Sequence, residues 1–381
     1  MILVGANRDL RIDAFRGLAL WWIFMDHIPG NWLAQFSLRN FALCDATEIF
    51  VLLAGYAAGL AYGRSMDRHG WLFAGADVLR RAWVLYIAHI FLFVVFSAQV
   101  SYSATALDHS EYLDEIHLDV LAEAPYRAML EALLLSFQPA YLNILPMYVA
   151  LLGMFAIVLP LLRWPTVLLG LSAAIYTAAR FTGFNFPSWT GGGWYFNPVA
   201  WQLLFIIGAV LSYAPPRWPK KSVWLDTAAI AIALTGLSLL WLVWPYPDVS
   251  ARLPSGAARI LVSVDKEGLH PMRLMSILAL AWLTSRAVPA HAAWLKGWFV
   301  RPFIICGQHS LPVFCAGIGL SFLGRLAMEE QGGWPVQAAV NLIGTAAMVA
   351  VGALAAWYKQ KGRPAPKTLP DPVSAANARV I

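Results

Sequence analysis

The sequence predicts an all-α polytopic membrane protein with about ten transmembrane helices and both termini in the cytoplasm. Three observations carry that prediction. Of 381 residues, 60% are hydrophobic and only 13% charged, about half the charged share of a water-soluble domain, and the mean hydropathy is +0.62. Runs of apolar residues recur at close to the roughly 20 that a helix needs to cross a hydrocarbon core about 30 Å thick. Finally, 18 Trp, 13 Tyr and 20 Phe suit a chain with two lipid interfaces to anchor. A soluble multidomain enzyme and a disordered chain are both excluded. The net charge of +6 and the pI near 9.3 do not point to nucleic acid, because the basic residues sort by membrane side.

Taken in order, the expected spans are 17–36, 46–63, 82–101, 142–162, 165–180, 198–213, 223–244, 273–288, 303–325 and 335–357. The first follows Arg8 and Arg11 as a signal peptide would. Its apolar stretch, however, runs into Asp26 and His27 rather than a small-x-small cleavage site, so it reads as a retained helix. The fifth, sixth and eighth runs are short. With the N-terminus inside, Arg64, Arg68, Arg80, Arg81, Arg163, Arg217, Lys220, Lys221, Arg286, Lys296 and Arg301 all fall on the cytoplasmic side. So does the basic tail from Lys359, and that asymmetry is the positive-inside rule. Ten spans form one transmembrane domain over 1–360, followed by a cytoplasmic tail, 361–381.

The segment 102–141 is acidic, with Arg127 its single basic residue, and belongs on the far side. Its Leu130, Leu133, Leu134 and Phe137 recur at helical spacing, which fits an amphipathic helix on the outer leaflet; a solvated acidic loop is the alternative. The 3 cysteines, Cys44, Cys306 and Cys315, lack CxxC spacing and read as packed thiols rather than a metal site or a disulfide framework.

Chemistry must then come from residues in or beside the helices, where ionisable groups are costly and mark function by default. Arg16 and His27 lie eleven residues apart, close to three whole turns, so they share one stripe of the first helix, roughly 16 Å apart along its axis. A donor arriving from the cytoplasm would meet Arg16, and His27 would take a proton from an acceptor deeper in the membrane. Asp26 lies about 100° round the helix from His27 and orients a neighbouring group. The plain alternative is a topogenic charge and a packed histidine. Asp45 and Glu48 open the second helix on one face near the level of His27, to orient it or to bind sugar hydroxyls, or simply to favour the helix dipole.

Arg259, Asp265, Lys266, Glu267, His270 and Arg273 crowd the loop before the eighth span. Lys266 or Arg273 suits the free carboxylate of a dicarboxylic acyl group, and mutual ion pairing is the alternative. His309 sits beside Pro312, whose missing N–H frees a carbonyl within the ninth span, a place for water or substrate; a satisfied core histidine is the alternative. In the turn PSWTGGGWYFNP, Trp189, Trp194 and Tyr195 suit stacking on sugar faces or an interfacial belt. Arg80 and Arg81, heading the third span, suit the phosphates of a donor, or simply satisfy the inside charge rule. His89 has no supporting motif.

The opening RDLRIDAFRGLALWWIFMDHIPGN, with ten residues between Arg16 and His27, resembles the start of the membrane acyltransferase-3 superfamily. More closely, the chain resembles the OpgC family of osmoregulated periplasmic glucan succinyltransferases. The likeness continues through DATEIFVLLAGYAAGLAYG, NILPMYVALL, FNPVAWQLLFIIG, DKEGLHPMRL and GQHSLPVFC, nearly the whole chain. The resemblance implies that Arg16 and His27 match the superfamily's active-site pair, and that succinyl-coenzyme A is the donor and a periplasmic glucan the acceptor. It also implies a multi-pass protein of the bacterial inner membrane, with no permanently bound cofactor or metal and the lipid bilayer as its setting. His27 then serves as general base or carries the acyl group itself. Alternatives are an acyltransferase for another glycan or lipid, and a secondary transporter or flippase; against the latter, the Arg16–His27 pattern does not recur in the later spans.

Overall fold

A computed structural model describes residues 9–216, 222–246, 248–249 and 264–361. Arg8, Arg217, Lys220, Lys221, Arg259 and the tail beyond Lys361 lie outside these residues. Among the described residues the chain is all-helical, apart from one isolated bridge between Pro187 and Gly193. In chain order, α1 spans Leu10–Asp26, α2 Ala46–Ala58 and α3 Trp71–Ala106. Short α4 (Glu111–Ile116), α5 (Asp119–Glu123) and α6 (Pro125–Leu133) follow. Then come α7 (Ile144–Val158), α8 (Pro165–Thr182), α9 (Pro198–Tyr213) and α10 (Val223–Ser238). The described chain closes with α11 (Pro271–Ala287), α12 (Arg301–Gln308), α13 (Ser310–Gln331) and α14 (Gly333–Lys361).

Six of the described helices are long and apolar enough to cross a membrane: Ala46–His69, Trp71–Ala106, Ile144–Arg163, Val223–Val243, Ser310–Gln331 and Gly333–Lys361. That marks a membrane protein, with fewer full-length spans than the ten expected. The remaining expected runs are also helical but shorter. The first ends at Asp26 rather than 36, because Pro29 cannot donate to the ladder and Gly30 adopts a positive φ of 72°; Trp32–Phe36 is a separate 3₁₀ turn. The ninth breaks at His309, which separates α12 from α13, at the place where Pro312 withdraws a backbone donor.

Close backbone approach holds the centre together. A Cβ at Gly17 of α1 would fall on the carbonyl of Phe303 in α12, and one at Gly307 of α12 on the carbonyl of Asp13. Gly55 of α2 and Gly59 just beyond its end do the same against Phe205 and Ala209 of α9, and Gly208 answers against Leu52. In lipid, where apolar burial drives no association, small residues let helices approach and gain dispersion contacts. Around these crossings Leu20, Phe24, Phe96, Phe155, Trp201 and Phe205 are fully buried.

The acidic segment is folded down onto the bundle. Arg325 of α13, nearly buried, pairs with Glu115 at 2.5 Å and Glu329 at 2.8 Å, and its guanidinium lies 4.9 Å from the Tyr112 ring centroid. The Tyr112 hydroxyl donates to Glu329 at 2.6 Å. At the segment's edge the His109 imidazole is held above its usual range by its hydrogen bond to Glu111. Leu130, Leu133 and Leu134 remain exposed, as a helix lying on a leaflet requires, whereas Phe137 is buried. Cys44 and Cys306 are buried free thiols and Cys315 is half-buried, which agrees with the packed reading.

Candidate functional site

α1 ends where its last turn meets a large polar chamber. The chamber, about 560 Å³, is lined by Asp26, His27 and Asp45, by Lys266, and by the loops around Tyr141 and Trp194. His27 caps α1, and its Nδ1–H donates to the Ile23 carbonyl at 2.7 Å. A carbonyl only accepts, so this bond fixes the proton on Nδ1 and leaves the Nε2 lone pair as the basic position. The Tyr141 ring stands edge-on to the imidazole with centroids 4.7 Å apart. Tyr141 holds a left-handed φ of 71°, an uncommon state for a bulky residue that local structure must enforce. The Ala140 amide donates to the Ile116 carbonyl of α4 at 3.0 Å, so the acidic segment sets this wall.

The opposite wall is a turn pinned by long-range bonds. Trp201 of α9 donates its indole N–H to the carbonyls of Lys266 and Glu267, Asn197 its amide to Glu267, and Tyr176 of α8 its hydroxyl to Leu269 at 2.8 Å. Arg180 of α8 donates to both Asp265 oxygens, at 2.8 and 2.7 Å. Burial pushes the Asp265 carboxyl up, but that pair and the Gly268 amide hold it below the usual range. Lys266 thereby reaches Asp45 at 2.7 Å, with its ammonium 5.5 Å from the Phe196 ring centroid. Burial opposes charge on both partners. Even so, Lys266 and Arg273 hold the Asp45 carboxyl well below its ordinary range, and Asp45 and Glu48 hold the Lys266 ammonium above its own.

A second chamber, about 190 Å³, lies towards the other end of the bundle. Arg16, Arg81, Tyr62, Tyr148 and Ser310 supply its polar lining among Phe50, Leu85 and Leu311. Arg16 donates to the Leu53 carbonyl at 3.0 Å. The two chambers share two apolar lining residues, Ile144 and Phe314, which form a collar between them.

Of the residues singled out in sequence, the structure therefore brings Asp26, His27, Asp45, Lys266, Trp194 and Tyr195 to one chamber and Arg16 and Arg81 to the other. Five depart from expectation. Glu48 is fully buried and touches neither chamber nor His27; it accepts from the Asp45 amide at 2.9 Å, completing a capping box, and pairs with Arg273 Nε at 2.6 Å. Arg273 sits beneath the chamber, bound to Glu48 and, at 3.1 Å, to Asp45; the ion-pair alternative describes it. Arg80 is exposed and pairs with Asp77 at 3.4 Å, pointing away from Arg81. His309 is buried at the α12–α13 break and lines neither chamber, although its neighbours Ser310 and Leu311 line the smaller one. Trp189 packs edge-on against Phe137 under the Arg127 guanidinium rather than facing the chamber.

Sequence reasoning missed Arg39, which pairs with Asp26 at 3.3 Å, and His117, Gln138, Tyr141 and Asn143, which all line the larger chamber. Arg39 sits in the three-residue 3₁₀ turn Leu38–Asn40 and the others on loops, where no periodicity gives them away.

These features define an integral membrane protein with a large polar chamber at one end of a helical bundle and a smaller cationic pocket behind it. The family model described as OpgC protein matches residues 8–360, and the chain belongs to that family. Membership assigns it a transferase role in the modification of osmoregulated periplasmic glucans. No curated protein and no solved structure matches the chain.

Proposed function

We propose that the chain is an O-acyltransferase of the acyltransferase-3 type in the bacterial inner membrane, moving a succinyl group from cytoplasmic succinyl-coenzyme A to a hydroxyl of a periplasmic glucan. The observation that carries this reading is the pair of chambers meeting at Ile144 and Phe314, with cations behind and His27 in front. The smaller chamber faces the cytoplasm, where Arg16 and Arg81 attract the anionic donor. The larger chamber faces the periplasm and takes the glucan, whose sugar rings meet Trp194 and Tyr195.

With the thioester carbonyl brought to the collar, His27 Nε2 accepts the proton of the glucan hydroxyl as its oxygen attacks. The tetrahedral adduct expels the coenzyme A thiolate, and the imidazolium returns its proton to that sulfur, which leaves an ester, a thiol and neutral His27. Binding both partners at one collar supplies the proximity. Lys266 and Arg39, the cations on the larger chamber, steer the free carboxylate of the transferred group.

His27→Ala should lower succinate transfer by about 10²–10⁴-fold, the usual worth of a general base, with membrane insertion unchanged. Wild-type transfer in that variant would remove His27 from the mechanism. Arg16→Ala should chiefly raise the donor concentration needed for half-maximal rate, and an unaltered donor dependence would sink its role. Supplying acetyl- and succinyl-coenzyme A in competition with labelled glucan tests the acyl group itself.

A further inference from the structure

A third cavity, about 320 Å³, lies apart from both chambers in the cleft between α1, α2 and α11. Most of its lining is half-buried rather than sealed, so the cleft opens sideways from the bundle. Its polarity changes along its length. Asp9 and Arg11 at the start of α1, Tyr56 near the end of α2, and Thr284 and Ser285 in the last turn of α11 gather at one end. Arg11 holds that end together, donating to Asp9 at 2.7 Å and to the Val288 carbonyl at 2.9 Å. Phe15, Leu52, Leu53 and Leu280 follow, and Trp22, Leu38 and Ile49 close the other end without a charged group.

The dimensions are those of half a bilayer. From Ile12 to Trp22, α1 rises about 15 Å, half of a hydrocarbon core about 30 Å thick. An apolar cleft of this kind stays dry, and the surrounding solvent is lipid. We propose that the cleft holds one acyl chain of a bilayer phospholipid, with its headgroup at the Asp9–Arg11 end. The Arg11–Asp9 ion pair presents both charges to a headgroup, the guanidinium sharing its charge with a phosphate and the carboxylate accepting from an amine, so phosphatidylethanolamine, which carries both charges, complements the pair. The bound chain has packing work to perform. α11 is tied to α2 at its start through Arg273 and Glu48 and to α10 through Trp282 and Arg286 on Asp226, whereas over its second half the cleft intervenes. The proposal needs only the membrane setting and is independent of the acyl-transfer reading.

The test reconstitutes the full chain into phosphatidylcholine vesicles doped with phosphatidylethanolamine that carries a photoactivatable diazirine in one acyl chain. After irradiation, adducts are mapped by peptide mass spectrometry. Expected are adducts on the cleft residues Phe15 and Leu280 in the wild type and their loss in Ala281→Trp, whose ring fills the cleft. Adducts on Leu342 and Ile343, exposed on α14, should persist in both. Phe15→Trp serves in the same way, read at Leu280, should Ala281→Trp fail to insert. The proposal is overturned by cleft labelling no stronger than at Leu342 and Ile343, by labelling that survives the filling variants, or by labelling with diazirine palmitic acid but not with the phospholipid.

Discussion

At the scale of single residues, the pairing of Asp45 and Lys266 decides what the larger chamber presents to a ligand. Each is held in its charged form by the other and by the Glu48–Arg273 pair beneath. Asp45 is held below the ordinary carboxylate range, near 3.9 in an unfolded chain, so its stabilising contribution is fully present above that value and fades as pH falls through the lower folded value. The melting temperature of Asp45→Asn should therefore lie below wild type by a constant margin between about pH 5 and 8, and the margin should shrink in stronger acid. A margin that widened towards low pH would contradict the assignment. Glu48 shows why such a role is hard to see in sequence. Its partner Arg273 is 225 residues away, and only the folded chain reveals that the pair satisfies itself beneath the chamber. Arg80 and Arg81 are the converse case. Neighbours on a helix diverge by about 100°, so one doublet yields one chamber cation and one exposed ion pair.

At the scale of elements, apolar length and punctuation made the helices legible, because lipid forces every backbone group to pair within its own helix. Pro29 and Gly30 end α1 early and His309 divides the ninth run, both at positions where the backbone cannot or does not continue the ladder. The short 16- to 18-residue helices α8, α9 and α11 read as spans by composition although they fall below full length. The crossings between helices depend on glycine, and that gives a sharp expectation. A side chain at Gly55 meets the Phe205 backbone itself, which no rotamer change relieves, so α2 and α9 must separate. Gly55→Val should cost at least the roughly 1–3 kcal/mol of an overpacked core and lower the melting temperature. Gly153 of α7 has nothing within 4 Å of its missing side chain, so Gly153→Ala should be neutral or stabilising by up to about 1 kcal/mol through helix propensity. Equal destabilisation by both variants would show that the crossings are not the source.

At the scale of the whole molecule, the fold sets two chambers against the shared residues Ile144 and Phe314, and in the proposed reaction transfer across the membrane reduces to passage of a small group through that collar. The sequence offered the two ends of that path, Arg16 and His27 on one helical stripe, because both lie on α1. It did not offer the collar, since Ile144 heads α7 and Phe314 belongs to α13, and two ordinary apolar residues on distant helices carry no local signal. Nor did it offer Tyr141, whose place beside His27 depends on a loop held by the acidic segment. The collar supplies the test that separates a transferase with two entrances from one with a single pocket. Ile144→Trp should narrow the passage and lower succinyl transfer by about a hundredfold, the scale of a misplaced reactant, with donor binding preserved. Phe314→Ala should widen it and admit water to the thioester, so that coenzyme A is released without matching ester formation. If Ile144→Trp transfers at the wild-type rate and Phe314→Ala leaves release and transfer coupled, donor and acceptor do not meet through this collar, and His27 must be reached by another route.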